Sequence, residues 1–409
     1  MNPYLRFPGL ISKATAEAKG PVELQLYVNF PFCTSKCHFC CWTCWISAAD
    51  LVHSQKLFQD YLSAIRRQID AYLSPLSDSL TQEGVVIRDI FFGGGTPSVF
   101  DAPDLNDILS LLCKYFGRPV HGGSITIEVS PDTVDFEKLS MLRQGGFNRI
   151  SIGIQSFNDT VLRKVGRKAN SRMGIQAVAA ARRAGFDNLN LDIIFGLPYE
   201  SAESWEDTVE KTVDLGPDHI SAYRYFAVPG TVGAHLVNQG KCEATTATEL
   251  HRRYEWARTF FESKGYKEYL HTYFEKGGKR CTSDEAYFSL QRQWIGFGAG
   301  ANSLFGQRRW ISCANARAYI DNPTAGAVIS LRGAEVLRRI FSLMLLGKGV
   351  DKRMFQKRLG ISFEEACTTD DWLRDTVKRL KDKGNMRETK TWLRWLNYAK
   401  RGEWMCGLE

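Results

Sequence analysis

Short apolar runs of the kind that form β-strands alternate with amphipathic helical stretches through the first half of this chain. The predicted strands are residues 24–30, 86–92, 124–129, 149–154, 189–194 and 219–223. Helical periodicity between them predicts helices near residues 55–72, 103–116, 135–145, 171–185 and 203–215. Because alternating strand and helix units build parallel sheets with right-handed crossovers, the pattern predicts an α/β fold containing a partial (β/α)6 barrel.

The motifs that carry polar or metal-binding side chains follow the first five predicted strands. They are the cysteines from Cys33 to Cys40, the glycines Gly93–Gly95, Ser130 with Pro131, Gln155, and Gly196–Pro198. In parallel α/β folds, functional residues lie where the strands end at the carboxyl edge of the sheet. We therefore expect a single site at this edge.

Three cysteines, Cys33, Cys37 and Cys40, have the spacing C-x3-C-x2-C. Three thiolates on one short loop can hold an iron–sulfur cluster and leave one iron open for another ligand. Thiolates also bind zinc, but no second ligand pair follows at the spacing of a structural zinc site. A third interpretation, inert buried cysteines, is disfavoured by the polar neighbours Thr34 and Lys36.

The bulk composition predicts a globular protein with one large catalytic domain and a smaller one, since the chain has 409 residues and is 44% hydrophobic. No apolar run is long enough to cross a bilayer, and the first residues lack an export pattern, so we expect a cytoplasmic protein. Eleven cysteines then favour reduced thiols. The net charge of +8 is scattered, and we expect neither a membrane nor a nucleic-acid partner.

Five motifs, in this order, resemble the radical S-adenosylmethionine (SAM) superfamily and, more narrowly, the family that contains oxygen-independent coproporphyrinogen III oxidase. They are Tyr27–Cys33, Phe91–Ser98, Glu128–Ser130, Ser151–Phe157 and Asp192–Pro198, with a weaker sixth at Ile295–Ala301. The resemblance implies a radical-SAM partial barrel, a [4Fe-4S] cluster and SAM bound at the open iron. It also implies an electron donor such as flavodoxin or ferredoxin, because reductive cleavage of SAM consumes an electron.

Four regions are expected along the chain. They are an N-terminal leader (1–20), the radical SAM partial barrel (21–230), a barrel extension and lid region over the barrel mouth (231–328), and a C-terminal domain (329–409). In the last region we predict helices over 334–346, 351–359 and 370–383, followed by alternation from Trp392. This helical tail looks like the small winged-helix-like domain of the family.

The resemblance assigns roles to individual side chains, with Cys33, Cys37 and Cys40 as cluster ligands. It implies that SAM is contacted by Tyr27, Phe39, Gly94, Gly95, Thr96, Glu128, Gln155, Arg167, Asp192 and Ile194. From the residues alone, the glycines can be a tight strand-exit turn, Arg167 a surface-helix arginine and Asp192 a structural cap.

Local departures from the family pattern guide the choice of branch. Trp42 stands where coproporphyrinogen oxidases carry a fourth cysteine, and Cys281–Phe288 lacks the His-Asn pair of the heme-chaperone relatives. The loop Val28–Trp42 is similar to the class C methyltransferases and cyclopropanases of the family. We therefore predict an enzyme that uses two SAM molecules to transfer a one-carbon unit, by methylation or cyclopropanation, to an sp2 carbon of a natural-product intermediate.

Two other hypotheses remain open. One is a porphyrin- or heme-related protein, either a decarboxylating oxidase like coproporphyrinogen III oxidase or a heme chaperone. The other is a zinc-dependent nucleic-acid-binding module. Cys41 and Cys44 are surplus thiols beside the triplet and are expected to be inert. Candidates for a proton transfer, none of them preferred, are Tyr223, Tyr225, Tyr269, His271, Tyr273 and Glu285.

Overall fold

The computed structural model describes most of the chain between residues 22 and 395. The described ranges are 22–42, 45–46, 51–74, 85–120, 122–289, 292–305, 308–330, 334–347 and 349–395. The expected leader, Cys44 and Cys406 lie outside these residues.

The strands are numbered in chain order. They are β1 (Val22–Phe30), β2 (Phe32–Cys33), β3 (Trp45–Ile46), β4 (Val85–Gly94), β5 (Ile125–Val129), β6 (Arg149–Gln155), β7 (Leu189–Phe195), β8 (His219–Arg224), β9 (Lys267–Leu270), β10 (Tyr273–Glu275), β11 (Gln293–Phe297), β12 (Asn302–Phe305), β13 (Arg308–Ser312), β14 (Gly326–Ser330), β15 (Val350–Asp351), β16 (Met386–Glu388) and β17 (Trp392–Trp395).

The helices follow the same convention. They are α1 (Leu51–Leu73), α2 (Ala102–Phe116), α3 (Phe136–Gly145), α4 (Asp159–Lys164), α5 (Ser171–Arg183), α6 (Ala202–Asp214), α7 (Val232–Asn238), α8 (Ala247–Ser263), α9 (Thr282–Ser289), α10 (Ala316–Asp321), α11 (Ala334–Leu346), α12 (Lys352–Leu359), α13 (Phe363–Thr369) and α14 (Asp371–Asp382). Short 3-10 turns at Pro97–Val99 and Pro131–Thr133 follow β4 and β5.

Twelve strands form one mixed sheet in the order β14-β13-β12-β11-β1-β4-β5-β6-β7-β8-β10-β9. Its middle, β1 and β4 through β8, is parallel throughout and is connected by the helices predicted from the sequence. The inner strands β6 and β7 are buried along almost their whole length because both faces are covered. The predicted α/β architecture with a six-strand partial barrel is confirmed.

A single apolar core joins these strands to helices α1, α2, α3, α5, α6 and α8. Its aromatic part lies under the first strand-to-helix connection, where the Phe32 ring packs against Tyr61 at 4.9 Å and Phe100 at 5.6 Å between ring centroids. Ring pairs at these distances are more favourable than their buried area alone suggests. The start of the cysteine segment is therefore fixed on a rigid base.

Residues 267–330 extend the sheet at both edges. On one side β10 pairs antiparallel with β8, and on the other β11 pairs parallel with β1. The sequence pattern did not predict these strands individually, because each is only three to five residues long and its partner is far away in the chain. A lid over the barrel mouth stays a prediction.

The C-terminal residues form a small unit with its own core. Helices α11 to α14 surround a three-stranded antiparallel sheet in the order β15-β17-β16, and Phe341, Phe355 and Leu393 are fully buried among them. Helices followed by a short sheet are the arrangement expected of the predicted winged-helix-like tail. The four region boundaries remain a proposal.

Candidate functional site

The cysteine loop, residues 31–42, leaves the carboxyl end of β1 and is held by backbone hydrogen bonds on two sides. The amides of Gly95 and Thr96 donate to the carbonyls of Phe30 and Phe32 at 2.9 and 2.8 Å. Further along, the His38 amide donates to the Val165 carbonyl at 2.8 Å. Because these partners come from two other strand-end loops, the cysteine loop is positioned by the barrel and not by its own sequence alone.

The three cysteines have distinct surroundings. Cys33 lies 3.4 Å from the Thr96 hydroxyl, and Cys37 is buried with the Arg167 guanidinium 3.7 Å from its sulfur. Cys40 is half-buried, and its amide donates to the Cys37 carbonyl at 3.1 Å. Arg167, an ambiguous residue in the sequence, therefore lies at the loop.

This donor set fits an iron–sulfur cluster. The three thiols lie on one short loop and are soft donors of the kind that iron–sulfur clusters take. All three cysteines are free of disulfides. Cys33, Cys37 and Cys40 are the residues that would hold the cluster.

The glycine motif after β4 comes within contact distance of both the cysteine loop and β5. A Cβ at Gly95 would lie 2.6 Å from the Phe32 carbonyl, and a Cβ at Gly93 would lie 2.9 Å from a Glu128 oxygen. Gly94 has a φ of 110°, a region that favours glycine. Close backbone packing therefore requires these glycines, as the turn interpretation expects, and contact of the motif with a ligand stays a prediction.

Glu128 extends from β5 beside this motif and accepts a hydrogen bond from the Gly94 amide at 3.2 Å. Burial, together with the nearby Asp192 and Asp284 carboxylates, raises the pKa of Glu128 to about 8. The Gly94 hydrogen bond and the Arg149 charge oppose this shift without cancelling it. A carboxylate in this position is stabilised by a bound cation, such as the ammonium group of a ligand.

Asp192, on β7, is oriented by its neighbours. The Ser151 hydroxyl donates to one carboxylate oxygen and the Asn190 side-chain amide donates to the other, both at 2.8 Å. Burial raises the pKa of Asp192, although these two hydrogen bonds and the Arg149 charge oppose the shift. Asp192 thus belongs to a polar network inside the barrel, and the end-of-strand cap that its sequence position allowed is not what holds it.

Gln155 ends β6 with a φ of 72°, an uncommon left-handed conformation for a residue with a side chain. A Cβ at Gly153 would lie 2.8 Å from the Gln155 amide nitrogen and 3.1 Å from the Arg167 guanidinium. Arg167 also donates to the Gly153 carbonyl. The left-handed turn therefore brings Gln155 and Arg167 to the same point next to the cysteine loop.

Two apolar contacts flank the loop. Phe39 packs against an apolar cluster that includes Ile194, Val165 and Tyr225, and the Tyr27 ring stacks on Phe91 with 6.0 Å between ring centroids. The Tyr27 hydroxyl donates to the Asn29 side chain at 3.3 Å. The residues that the resemblance assigned to SAM are thus distributed around the cysteine loop, and their contact with SAM stays a prediction.

The other residues singled out in the sequence are scattered. Tyr269 and Tyr273 are buried, and the Tyr273 hydroxyl donates to that of Tyr223 at 3.3 Å. Tyr225 packs under Phe39, while His271 lies 3.6 Å from Glu268. Glu285 lies 3.8 Å from Arg280. Cys41 is exposed.

Sequence reasoning missed a buried network at the amino end of the barrel strands. Arg149 lies 3.4 Å from His219, whose other ring nitrogen lies 2.8 Å from the Tyr269 hydroxyl. Burial, followed by the Arg149 charge, lowers the pKa of His219, so its ring is neutral. The sequence signal for this network was an arginine and a histidine, Arg149 and His219, each at the first position of a predicted strand. Asp284, whose pKa burial raises, gave no signal because it lies on a short helix.

No helix among the described residues has the length and apolar character that a membrane crossing needs.

Comparison with known proteins gives consistent results. The family model described as the radical SAM superfamily matches residues 27–212. The heme chaperone HemW of Bacillus subtilis is 28% identical over 345 residues, 83% of this chain and 87% of that protein. HemW of Haemophilus influenzae is 31% identical over 279 residues, 68% of this chain and 70% of that protein.

One coproporphyrinogen oxidase sequence and one solved oxidase structure also match this chain. The oxygen-independent coproporphyrinogen III oxidase of Synechocystis is 34% identical over 207 residues, 50% of this chain and 42% of that protein. The solved structure of coproporphyrinogen III oxidase (HemN) from Escherichia coli superposes with a TM-score of 0.77 at 23% identity, covering 97% of this chain and 92% of that one. At this identity the superposition establishes the shared fold.

These comparisons overturn one prediction. The sequence was interpreted as a C-methyltransferase or cyclopropanase that acts on a natural-product intermediate, but the relatives are named heme chaperones and a coproporphyrinogen oxidase. The methyltransferase interpretation is wrong because it depended on a few positions around the cysteine loop, whereas the match to HemW extends over most of the chain. The porphyrin- or heme-related alternative is the better supported one.

Proposed function

We propose a function from one premise: the chain belongs to the radical SAM superfamily, within the family of the heme chaperones HemW and the oxygen-independent coproporphyrinogen III oxidases. Its cofactors are a [4Fe-4S] cluster and SAM. We infer that the chain binds a tetrapyrrole and that heme is its first candidate ligand. The sequence also predicted that two SAM molecules bind, and this prediction is part of the proposal.

The extent of the sequence match to the chaperones supports heme, and not a porphyrinogen, as the ligand. Similarity to HemW of Bacillus subtilis covers 83% of the chain and 87% of that protein, so it includes the extended sheet edges beyond the barrel. Similarity to the Synechocystis oxidase covers 50% of the chain and 42% of that protein. A ligand-binding role shared with the chaperones is consistent with similarity outside the radical SAM region.

The residues of the chain have separable tasks in this proposal. When bound, a cluster with one open iron supplies the electron that cleaves SAM. Glu128 and Asp192 present carboxylates inside the barrel, where they can accept hydrogen bonds from ammonium or hydroxyl groups. Arg167 positions the Cys37 sulfur and the Gly153 carbonyl by donating to both. Phe39 and Ile194 keep the space beside the loop apolar and exclude water.

Cys281 does not offer an accessible thiol to a heme. It is fully buried, and its amide donates to the Tyr269 hydroxyl at 3.1 Å. Burial raises the pKa of the Cys281 thiol well above its usual value. We therefore expect a bound heme to take its axial ligand from a residue other than Cys281.

A second candidate function is oxidative decarboxylation of a porphyrinogen. It is favoured by the 34% identity to the Synechocystis oxidase, which is higher than the identity to either chaperone over a shorter region. The absence of a fourth cysteine at Trp42 distinguishes this chain from the oxidase pattern. The two functions share the cluster and SAM and differ in whether the tetrapyrrole is changed.

The deciding experiment uses anaerobically reconstituted full-length protein. Heme titration should give a saturable Soret band at one equivalent, and dithionite with SAM should release 5′-deoxyadenosine. Coproporphyrinogen III is then added, and mass spectrometry follows loss of its carboxyl groups. A saturable band without decarboxylation supports the heme proposal, and decarboxylation supports the oxidase. Neither a heme band nor a decarboxylated product would overturn both.

The cellular setting completes the proposal. Nine cysteines within the described residues form no disulfide, and an iron–sulfur cluster with an open iron needs reducing surroundings. We therefore place the protein in the cytoplasm with a flavodoxin or ferredoxin as its reductant.

A further inference from the structure

The outer end of the cysteine loop forms one continuous surface with two neighbouring segments. The His38 amide donates to the Val165 carbonyl, and the Gly233 amide donates to the His38 carbonyl, both at 2.8 Å. Gly166 has no room for a side chain, because a Cβ would lie 2.8 Å from the His38 ring. We call this surface the loop face and define it by Trp42, Arg163, Lys164, Lys168, Arg172, Tyr199 and Val232.

The charge of the loop face has one sign. Residues 160–186 contain seven basic and no acidic side chains. Arg167 turns inward to Cys37, whereas Arg163, Lys164, Lys168 and Arg172 are exposed. The nearest exposed acid in sequence, Asp159, accepts a hydrogen bond from the Ser171 amide at 2.8 Å, so part of its charge is directed to the helix start. The face therefore carries a positive potential that attracts acidic surfaces.

Exposed apolar side chains lie within this positive surface. Trp42 is 67% exposed, Val232 is 42% exposed and Tyr199 is 41% exposed. The Lys164 ammonium lies 4.6 Å from the Tyr199 ring centroid, so the charged and apolar parts are in contact. An aromatic centre with a charged rim is typical of protein–protein interfaces, where tryptophan and tyrosine are enriched.

The loop face is also the part of the surface next to the cluster ligands. Cys40 is half-buried, and the following residues Cys41 and Trp42 are exposed. The Lys36 ammonium donates to the Trp42 carbonyl at 2.8 Å and so connects the loop interior to its outer end. Because electron transfer rates fall steeply with distance, a protein that reduces the cluster has to dock where the loop reaches solvent.

We propose that the loop face is the docking site for a small acidic one-electron carrier protein, with Trp42 at its centre and Arg163, Lys164 and Lys168 as the charged rim. This inference rests on the proposed function, since only a protein with a redox cluster needs such a partner. Weak redox encounters bury less than about 1,200 Å², and opposite charges mainly speed their association. A basic face with exposed aromatic side chains matches that class.

A charge-reversal pair and a matched control test the site. Arg163→Glu with Lys164→Glu changes the last turn of α4, and Lys378→Glu with Arg379→Glu changes an exposed pair on α14. The pairs are comparable, because Arg163 donates to Thr160 at 3.2 Å and Arg379 donates to Thr376 at 3.4 Å. The probe is a purified flavodoxin, and binding is measured by biolayer interferometry at low and at high salt.

The dissociation constant for flavodoxin should rise about tenfold or more in the α4 pair, and its salt dependence should weaken. The α14 pair should bind as the unchanged protein does. Trp42→Ala should weaken binding with the salt dependence kept. SAM cleavage driven by dithionite should be equal in all variants, whereas cleavage driven by reduced flavodoxin should fall in the α4 pair.

Three results would overturn the docking site. They are unchanged flavodoxin binding in the α4 pair, an equal loss in the α14 pair, and a loss of binding to a mixed-sequence RNA oligonucleotide in the α4 pair without any flavodoxin binding by the unchanged protein. Failure of the proposed function is a separate outcome, since dithionite would then release no 5′-deoxyadenosine from the unchanged protein.

Discussion

Two glutamates, the half-buried Glu128 inside the barrel and the buried Glu200 in its outer wall, have very different surroundings. Glu200 forms an ion pair with Arg253 at 2.9 Å, and the Gly196 amide donates to the same carboxylate oxygen at 2.7 Å. Glu128 accepts one hydrogen bond, from Gly94, and has two further carboxylates nearby. The wall residue has an arginine partner within the protein, whereas for the interior residue we predict a cationic group of a bound ligand as the partner. A group kept in a costly state marks a functional region.

The largest expected effect follows from removing the ion-pair partner of Glu200 in the barrel wall. Arg253→Ala leaves the Glu200 charge buried without its partner, because both side chains are less than 10% exposed. Breaking a buried ion pair from one side costs about 3–5 kcal/mol. The free energy of unfolding in urea should fall by that amount. Arg252→Ala, at a half-exposed neighbour, should change it by less than about 0.5 kcal/mol. Equal losses in both variants would contradict a special role for the wall pair.

The pH dependence of stability should distinguish the two glutamates. Burial raises the pKa of Glu200 to about 7 and that of Glu128 to about 8. Between the unfolded pKa near 4.5 and these values, the native state binds more protons than the unfolded state, so stability falls as pH rises. Glu200 contributes about 3 kcal/mol to this fall between roughly pH 4.5 and 7.

Urea unfolding from pH 5 to pH 8.5 measures this dependence. Glu200→Gln should flatten the curve below about pH 7, and Glu128→Gln should flatten it up to about pH 8. A carboxylate with a lowered pKa, such as Glu249 with a pKa of about 2, affects the free energy of unfolding only below this pH range. Its effect has the opposite sign, because stability there rises as the pH rises. Curves of equal slope in the unchanged protein and in both variants would show that neither glutamate has a raised pKa.

Glu128→Gln should have a smaller effect on stability but a specific effect on SAM binding. Stability at pH 7 should change by less than about 1 kcal/mol, because the neutral amide replaces a carboxyl that is mostly protonated. SAM affinity should fall about tenfold to a hundredfold, since the cationic ligand favours the ionised carboxylate, and hydrogen bonds to a charged group contribute about 1.5–3 kcal/mol. Isothermal titration with SAM checks this, with the exposed Glu137→Gln as control. Unchanged affinity would remove Glu128 from the binding site.

The smallest expected effect tests the orientation of Asp192. Ser151→Ala removes the 2.8 Å hydrogen bond to Asp192 and one acceptor of Asn190, and it should lower the free energy of unfolding by about 1 kcal/mol. SAM affinity should fall several-fold. Ser140→Ala, which loses a hydrogen bond within α3, is the control for stability alone. If both variants bind SAM equally well, Ser151 does not orient a binding residue.

The sequence predicted the regular part of the molecule well, because period and pattern are local. The predicted strand over 189–194 is observed as Leu189–Phe195, and the predicted helix over 334–346 has the same bounds in the structure. Helix α13 was missed, although Ser362 and Glu365 form a capping box that could have indicated it. Partners distant in the chain, such as β1 and β11, leave no local pattern.

The candidate site was predictable at positions where metal ligation or the backbone conformation requires one residue type. The cysteines and glycines stood out because few residues can replace them. The environment of Glu128, in contrast, depends on Asp284, which approaches from a helix more than 150 residues later and raises its pKa. The position of Asp284 follows from the fold and not from its sequence neighbours. For the same reason, local resemblance around one loop gave the wrong branch of the family.

The parallel pairing of β1 with β11 has a consequence for biogenesis. Leu24 is paired with Gln293, so the strand that carries the cysteine loop is flanked on one side by residues that leave the ribosome much later. Contacts this distant in sequence make folding slow. During translation the loop emerges early yet lacks its final support. Metal loading after chain release, and not on the nascent polypeptide, is the order of assembly that this topology favours.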